Sequence, residues 1–246
     1  MKLATIIILI CSFNAFSYQV DFLGDQKRYK RVRTALAEKE KGIISTLQEK
    51  DIEVDELNIL ISAFKAENEL ELYVKRKTDT IYRKAGTYNI CASSGQLGPK
   101  HKQGDYQVPE GFYYVDRFNP ASSFFLSLGL NYPNQSDRKK SKFPKLGGDI
   151  FIHGSCVTIG CLPMTDNIIK ELYVYAVHAK NNGQSKIPVY IFPFRMTPQN
   201  FGKYENDRNY AQLIDFWRNL KKGYDTFSKS KRELKVSVNS NGDYVF

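Results

Sequence analysis

Residues 149–166 read Asp149-Ile150-Phe151-Ile152-His153-Gly154-Ser155-Cys156-Val157-Thr158-Ile159-Gly160-Cys161-Leu162-Pro163-Met164-Thr165-Asp166. An apolar run ends at His153-Gly154, a turn follows, Gly160-Cys161 comes next, and Thr165-Asp166 is a helix start signal. A nucleophilic thiol needs a base to take its proton and backbone donors to hold an oxyanion. This segment holds candidates for all three. It reads equally well as a buried strand ending in a turn with two structural cysteines.

Downstream of it, Ile168, Ile169, Leu172, Tyr173, Ala176 and Val177 form a helical stripe closed by Asn181-Asn182-Gly183. His178 beside that stripe is read as structural, near the helix's negative end. Ile187–Phe192 is a strand with Pro188 near its start. From Thr197 on the chain is polar and helical. Leu213, Phe216, Trp217, Leu220 and Tyr224 have the spacing to pack on a sheet, and Asn241-Gly242 suggests a terminal hairpin between Leu234–Val238 and Asp243–Phe246.

Upstream, Leu57–Phe64 and Glu69–Val74 read as strands joined by Lys-Ala-Glu-Asn, with a third running from Thr80 toward Cys91. Phe112–Val115 and Ser123–Leu128 are two more. Two long loops intervene. Residues 93–111, rich in Ser, Gly, Pro and Lys, are read first as a solvated basic loop and second as an anion contact through Lys100, His101 and Lys102. Residues 130–148 read either as a lid or groove wall, or as an unordered connection. Val32, Leu36, Ile43, Ile44 and Leu47 give residues 25–50 helical spacing, either as a surface helix on the main domain or as a mobile arm.

The expected fold is mainly β with flanking helices (α+β). The expected segments are an N-terminal helical piece over 18–55, a main domain over 56–195, and a C-terminal helical extension with a hairpin over 196–246. Lys2, the apolar run Leu3–Cys11 and the small residues Ala15 and Ser17 predict a cleaved export signal over 1–17. Ile10 stands where lipid attachment at Cys11 would need a small side chain. No later stretch is long and apolar enough to span a membrane.

Export leaves Cys91, Cys156 and Cys161, an odd number in an oxidising compartment. If Cys161 is the nucleophile, Cys91 and Cys156 remain to pair. The formal charge is +10, suited to an anionic partner such as an acidic wall polymer. No nucleic-acid module is legible, and a solvated lysine-rich face accounts for most of the charge. With three histidines and no zinc-like spacing, a metal site has little to be built from.

His153 is the histidine nearest to Cys161 in sequence and is the candidate general base and acid. Gly160 permits a tight bend that would leave the amides of Gly160 and Cys161 free for an oxyanion. Asp149, Asp166 or a backbone carbonyl could orient the imidazole.

His153-Gly154 followed by Thr158-Ile159-Gly160-Cys161 resembles the signature of the L,D-transpeptidase catalytic domain (YkuD-type) family. Cys91–Lys100, Pro109–Tyr113, Asn131–Asn134 and Phe216–Lys221 are similar to its YafK-like branch, and the likeness runs from about residue 57 to 195. The resemblance implies a compact domain of packed β-sheets. It implies an acyl-enzyme at Cys161, with His153 as base and then acid, and a backbone site around Gly154, Thr158 and Gly160. It implies attack on the bond after the third-position diamino acid of a peptidoglycan stem peptide, in the periplasm, with no metal or organic cofactor. Lys100, Tyr132 and Ser155 are the candidate substrate contacts. An amine acceptor gives transpeptidation. Water gives a carboxypeptidase, or an amidase detaching a wall-linked lipoprotein, and loss of chemistry would leave a wall-binding module. The chain departs from the family pattern at Ile159, at Pro163 and in the short His153–Thr158 gap, which bears on acceptor identity.

Overall fold

The computed structural model describes residues 21–246, so the expected signal over 1–17 and Cys11 lie outside the described residues. Helices α1 (Phe22–Lys27) and α2 (Lys30–Gln48) lead into strands β1 (Leu57–Phe64), β2 (Glu69–Arg76) and β3 (Arg83–Asn89). Then come β4 (Gly111–Asn119), β5 (Ser127–Leu130), α3 (Gln135–Lys140), β6 (Phe151–His153) and β7 (Leu162–Pro163). The chain closes with α4 (Asp166–Asn181), β8 (Ile187–Phe192), α5 (Pro198–Glu205), α6 (Ile214–Ser230), β9 (Ser237–Val238) and β10 (Tyr244–Val245).

Strands β1 to β8 form one mixed sheet in the order β3-β2-β1-β8-β4-β5-β6-β7. Neighbours are antiparallel except β1 with β8 and β6 with β7. The packed layers are thus a single hydrogen-bonded sheet with helices on both faces. Strand periodicity explains the arrangement. On β1, Ile59, Ile61 and Ala63 enter one core while Leu60 and Phe64 enter the other. On β8, Val189 and Ile191 alternate in the same way with Tyr190 and Phe192. A strand apolar on both faces must be covered twice.

Helix α4 covers one face. Thr165 caps it by accepting from the Ile168 amide, and Ile169, Leu172, Tyr173, Ala176 and Val177 are buried. α2 lies over α4 through Val32, Ala35, Leu36, Ile43 and Leu47, so the N-terminal segment is the surface helix and not an arm. His178 Nε2 lies 2.9 Å from Glu40 Oε1 across that contact, as suits a structural histidine. Helix α6 covers the other face with Trp217, Leu220 and Phe227. The terminal hairpin is shorter than expected: β10 pairs with β9 over two residues each.

The two long loops are held by polar contacts that sequence spacing does not reveal. In 130–148, Asn134 and Asp137 form a capping box on α3. Asn134 Nδ2 also donates to the Tyr244 hydroxyl (2.9 Å), and Ser136 Oγ to the Gly242 carbonyl (2.5 Å). This segment is therefore fastened to the C-terminal hairpin and is not an unordered connection.

The 93–110 loop is fastened by fully buried Glu110. Its Oε1 accepts from Lys65 Nζ (2.9 Å) and the Gly98 amide (2.7 Å), and its Oε2 from Trp217 Nε1 (2.8 Å). Lys65 Nζ completes its shell with the carbonyls of Gly98 and Val108. Removing one partner of such a pair strands the other charge in the interior. Glu110→Ala is expected to lower unfolding free energy by about 3–5 kcal/mol, read from urea denaturation. A loss under about 1 kcal/mol would show that the pair is not desolvated.

Candidate active site

Strands β6 and β7 run side by side with Ile152 opposite Leu162, so Cys161 falls beside Phe151. The Phe151 amide donates to Cys161 Sγ at 3.4 Å, and the thiol points to the Asp149 carbonyl at 3.6 Å. His153, two residues along β6, lines the same cavity of about 470 Å³ as Cys161. The resting thiol is thus turned to a backbone carbonyl and not hydrogen-bonded to the imidazole. Catalytic contacts are often loose before substrate binds.

His153 is 2% exposed and packs against Phe124, with ring centroids 4.7 Å apart and the rings tilted by 32°. Its Nδ1 lies 2.5 Å from the Gly154 carbonyl. A carbonyl only accepts, so Nδ1 carries the proton and Nε2 presents the lone pair. Of the three orienting groups considered, the backbone carbonyl takes the role. Asp166 acts one step back: its Oδ1 accepts from the Ser155 amide at 2.9 Å and fixes the turn that carries Gly154. A Cβ at Gly154 would sit 2.6 Å from Asp166 Oδ1 and 2.8 Å from the Phe124 carbonyl, so this close approach needs glycine. Asp149 instead meets Arg117 at 3.0 Å, near the surface.

Cys91 and Cys156 form a disulfide with a Cα–Cα distance of 5.4 Å, and Cys161 is the free cysteine among the described residues. The bridge joins the turn before Cys161 to the end of β3's connection, where the Cys91 amide donates to the Pro163 carbonyl.

Burial holds the Cys161 thiol above its ordinary value, reinforced by the charge of Asp149 and opposed by the Phe151 amide. Burial likewise lowers His153, against the pull of the Gly154 carbonyl. The resting pair is therefore neutral thiol and neutral imidazole. Iodoacetamide alkylation of Cys161 is expected to accelerate with pH to a midpoint above 9.0. A midpoint below about 7 would demonstrate a preformed thiolate–imidazolium pair instead.

Several sequence expectations need correction. The amides of Gly160 and Cys161 are not free: both donate to Thr158 Oγ1, at 3.2 and 2.8 Å, while that hydroxyl donates to the Cys161 carbonyl at 2.9 Å. A threonine hydroxyl two and three residues before these amides closes the turn locally. Gly160, at φ +130°, is needed for this path and for approach to the Gln107 carbonyl. Lys100 is neither solvated nor open to substrate. Its ammonium is buried against Asp105 Oδ1 (2.5 Å) and the Lys102 carbonyl (2.9 Å). Tyr132 is buried too, its hydroxyl donating toward the carbonyls of Lys100 and Leu146. Lys100, Tyr132 and Ser155 lie outside the walls of both cavities that Cys161 borders.

Other residues do line them. A second cavity, about 670 Å³, also reaches Cys161 and is walled by Lys65, Asn68, Ser93, Ser94, Gln96 and Asn209 among others. The N-terminal helical segment holds the cavity wall: Arg31 on α2 donates to the carbonyls of Ser122 and Phe125, fixing the loop that presents Phe124 to His153. No sequence pattern marks Arg31, because the contact spans 94 residues.

The L,D-transpeptidase catalytic domain (YkuD) model matches residues 58–191, which run from β1 to β8 and include Cys161 and His153. The chain belongs to the L,D-transpeptidase catalytic domain family. Its relatives include the Escherichia coli K12 protein named "Putative L,D-transpeptidase YafK", 40% identical over 189 residues, 76% of this chain and 73% of the relative. The O157:H7 protein of the same name matches equally. Among solved structures, the helical cell shape determining protein Pgp2 from Campylobacter jejuni aligns at TM-score 0.44 and 20% identity, over 74% of each chain. Within this L,D-transpeptidase domain the family match covers the sheet, and α2 and α6 are additions packed on its two faces.

Proposed function

We propose that this chain is a peptidoglycan acyl-transfer enzyme working through a Cys161 thioester. The supporting observation is the pairing in one cavity of a free thiol with an imidazole whose Nδ1 is fixed on the Gly154 carbonyl. His153 Nε2 takes the thiol proton as Sγ bonds to the carbonyl carbon of the third-position diamino acid of a stem peptide. The C–N bond breaks, and the same proton passes to the departing amine. An incoming amine or water then attacks the thioester, gives a proton to His153, and the thiol is restored as the C–S bond breaks.

The reaction would take place in the periplasm, since the disulfide suits an oxidising compartment and the expected signal would direct export. Hydrolysis is the second reading, as a carboxypeptidase or an amidase releasing wall-linked lipoprotein. Ile159 supports it, because this cavity-wall residue offers no charge to hold a zwitterionic acceptor. Purified protein with defined muropeptides separates the readings. Cross-linked dimers mark transfer, shortened stems or released lipoprotein mark hydrolysis, and unchanged muropeptides would leave only a wall-binding module.

A further inference from the structure

Residues 138–145 read Arg138-Lys139-Lys140-Ser141-Lys142-Phe143-Pro144-Lys145, and no acidic side chain follows as far as Gly148. Arg138, Lys139, Lys142, Phe143, Pro144 and Lys145 are exposed. The loop before β4 lies against this segment: Ser141 Oγ donates to the His101 carbonyl at 2.7 Å, and the Gln103 amide to the Lys145 carbonyl at 3.0 Å. That contact brings Lys102 to the same place, its ammonium 5.1 Å from the centre of the Phe143 ring. The carboxylates of the adjoining segments are already taken, Asp105 by Lys100, Asp243 by Lys140 and Asp149 by Arg117. Lys102, Lys142 and Lys145 are thus left without a carboxylate partner among the described residues.

A solvated basic face has no need of an apolar tip, yet Phe143 is 46% exposed, with Pro144 beside it, between Lys142 and Lys145. Cations around an exposed apolar tip match a bilayer surface, where the ammonium groups meet anionic headgroups and the ring enters the acyl boundary. An anionic wall polymer would answer the cations alone, since Lys102 already covers a face of the ring on which a sugar would stack. We propose that the 138–145 segment, with Lys102, docks the protein on a membrane surface rich in anionic phospholipid. The segment is held at one end by the α3 capping box and at the other by the Gln103–Lys145 bond, so little loss of freedom opposes docking. Asp149, whose carbonyl faces the Cys161 thiol, lies four residues on from Lys145, at most about 14 Å of chain. Docking therefore holds the candidate active site beside the membrane, whichever reaction it performs.

The test is co-sedimentation of the full chain with phosphatidylcholine vesicles, with or without about one-third phosphatidylglycerol. Binding is expected to the anionic vesicles, and should be lost as salt is raised to about 0.5 M. Neutral vesicles report any apolar insertion elsewhere in the chain. Lys142→Glu with Lys145→Glu should weaken anionic binding by about 25-fold or more, at about fivefold for each cation lost. Phe143→Ser should weaken it by about tenfold at unchanged charge. The matched control, Lys27→Glu with Lys30→Glu on α1 and α2, carries the same charge change and should bind within about threefold of the wild-type chain. All the substituted positions are exposed, so the variants are expected to fold, and thermal melting checks this; the salt series needs no variant. Equal weakening in the two double variants would reduce the effect to net charge and overturn the proposal, as would equal binding to neutral and anionic vesicles. Isolated peptidoglycan sacculi run in parallel. If Lys142→Glu with Lys145→Glu loses sacculus binding and keeps vesicle binding, the patch belongs to the wall polymer and the membrane proposal fails.

Discussion

Cys161→Ala is expected to abolish turnover of stem peptides, lowering kcat by on the order of 10⁴-fold or more. The thiol supplies the bond that splits one difficult acyl transfer into two steps, and no neighbouring group can replace it. Cys91 and Cys156 are consumed in their disulfide. The hydroxyl closest in the turn, Thr158 Oγ1, is engaged with three backbone groups of its own loop. The fold should tolerate the change, because Sγ makes one accepted contact with the Phe151 amide and one long contact with the Asp149 carbonyl. Intact mass after exposure to a carbapenem gives a reading independent of substrate. The wild-type chain should gain one acyl adduct, mapped to Cys161, and the variant none. An adduct that persists in Cys161→Ala would show that the nucleophile lies elsewhere.

The second large effect is expected at His153. His153→Gln should lower kcat by about 10²–10⁴-fold, since it removes the group that carries the proton from thiol to amine. The sign of the pH dependence is fixed by the direction of its shift. Burial lowers the imidazole below its ordinary value of 6.5, so the neutral base form extends to lower pH, and the acid limb of activity, where the ring protonates, should lie below that ordinary value. His153→Gln should lose this acid limb along with its rate. The rise at high pH, which belongs to Cys161, should remain in both proteins. An unaltered acid limb in the variant would assign that titration to another group. The ring is buried against Phe124, so a circular dichroism melt is needed to separate lost chemistry from lost packing.

The contrast between the corrected residues and the retained ones has one cause. Strands β1, β2, β4 and β8 and helices α2, α4 and α6 were legible because alternating or helical apolar spacing is a local record of which faces are covered. The polar anchoring of the two long loops was not, since its partners lie far along the chain, and the two residues of β7 are too few to carry an alternation. Lys100 shows that even a near partner escapes such a reading. A Lys-His-Lys run reads as solvated charge, yet Asp105 folds back to accept the Lys100 ammonium and the amides of His101 and Lys102. Spacing alone cannot distinguish a free cation from one held in that way.

By itself, the sequence determined the mainly β class, the two-sided burial of the central strands, and the Cys161 and His153 candidates, because each depends on residue type and short-range period. Tertiary structure decided which groups surround them. It turned the Gly160 and Cys161 amides onto Thr158, placed the Gly154 carbonyl on His153 Nδ1, and brought Arg31 to the loop that carries Phe124. It also set Cys161 on the walls of two cavities. Hydrogen-bond partners and cavity walls are properties of distance in space, and residues remote in sequence supply them only once the sheet has formed.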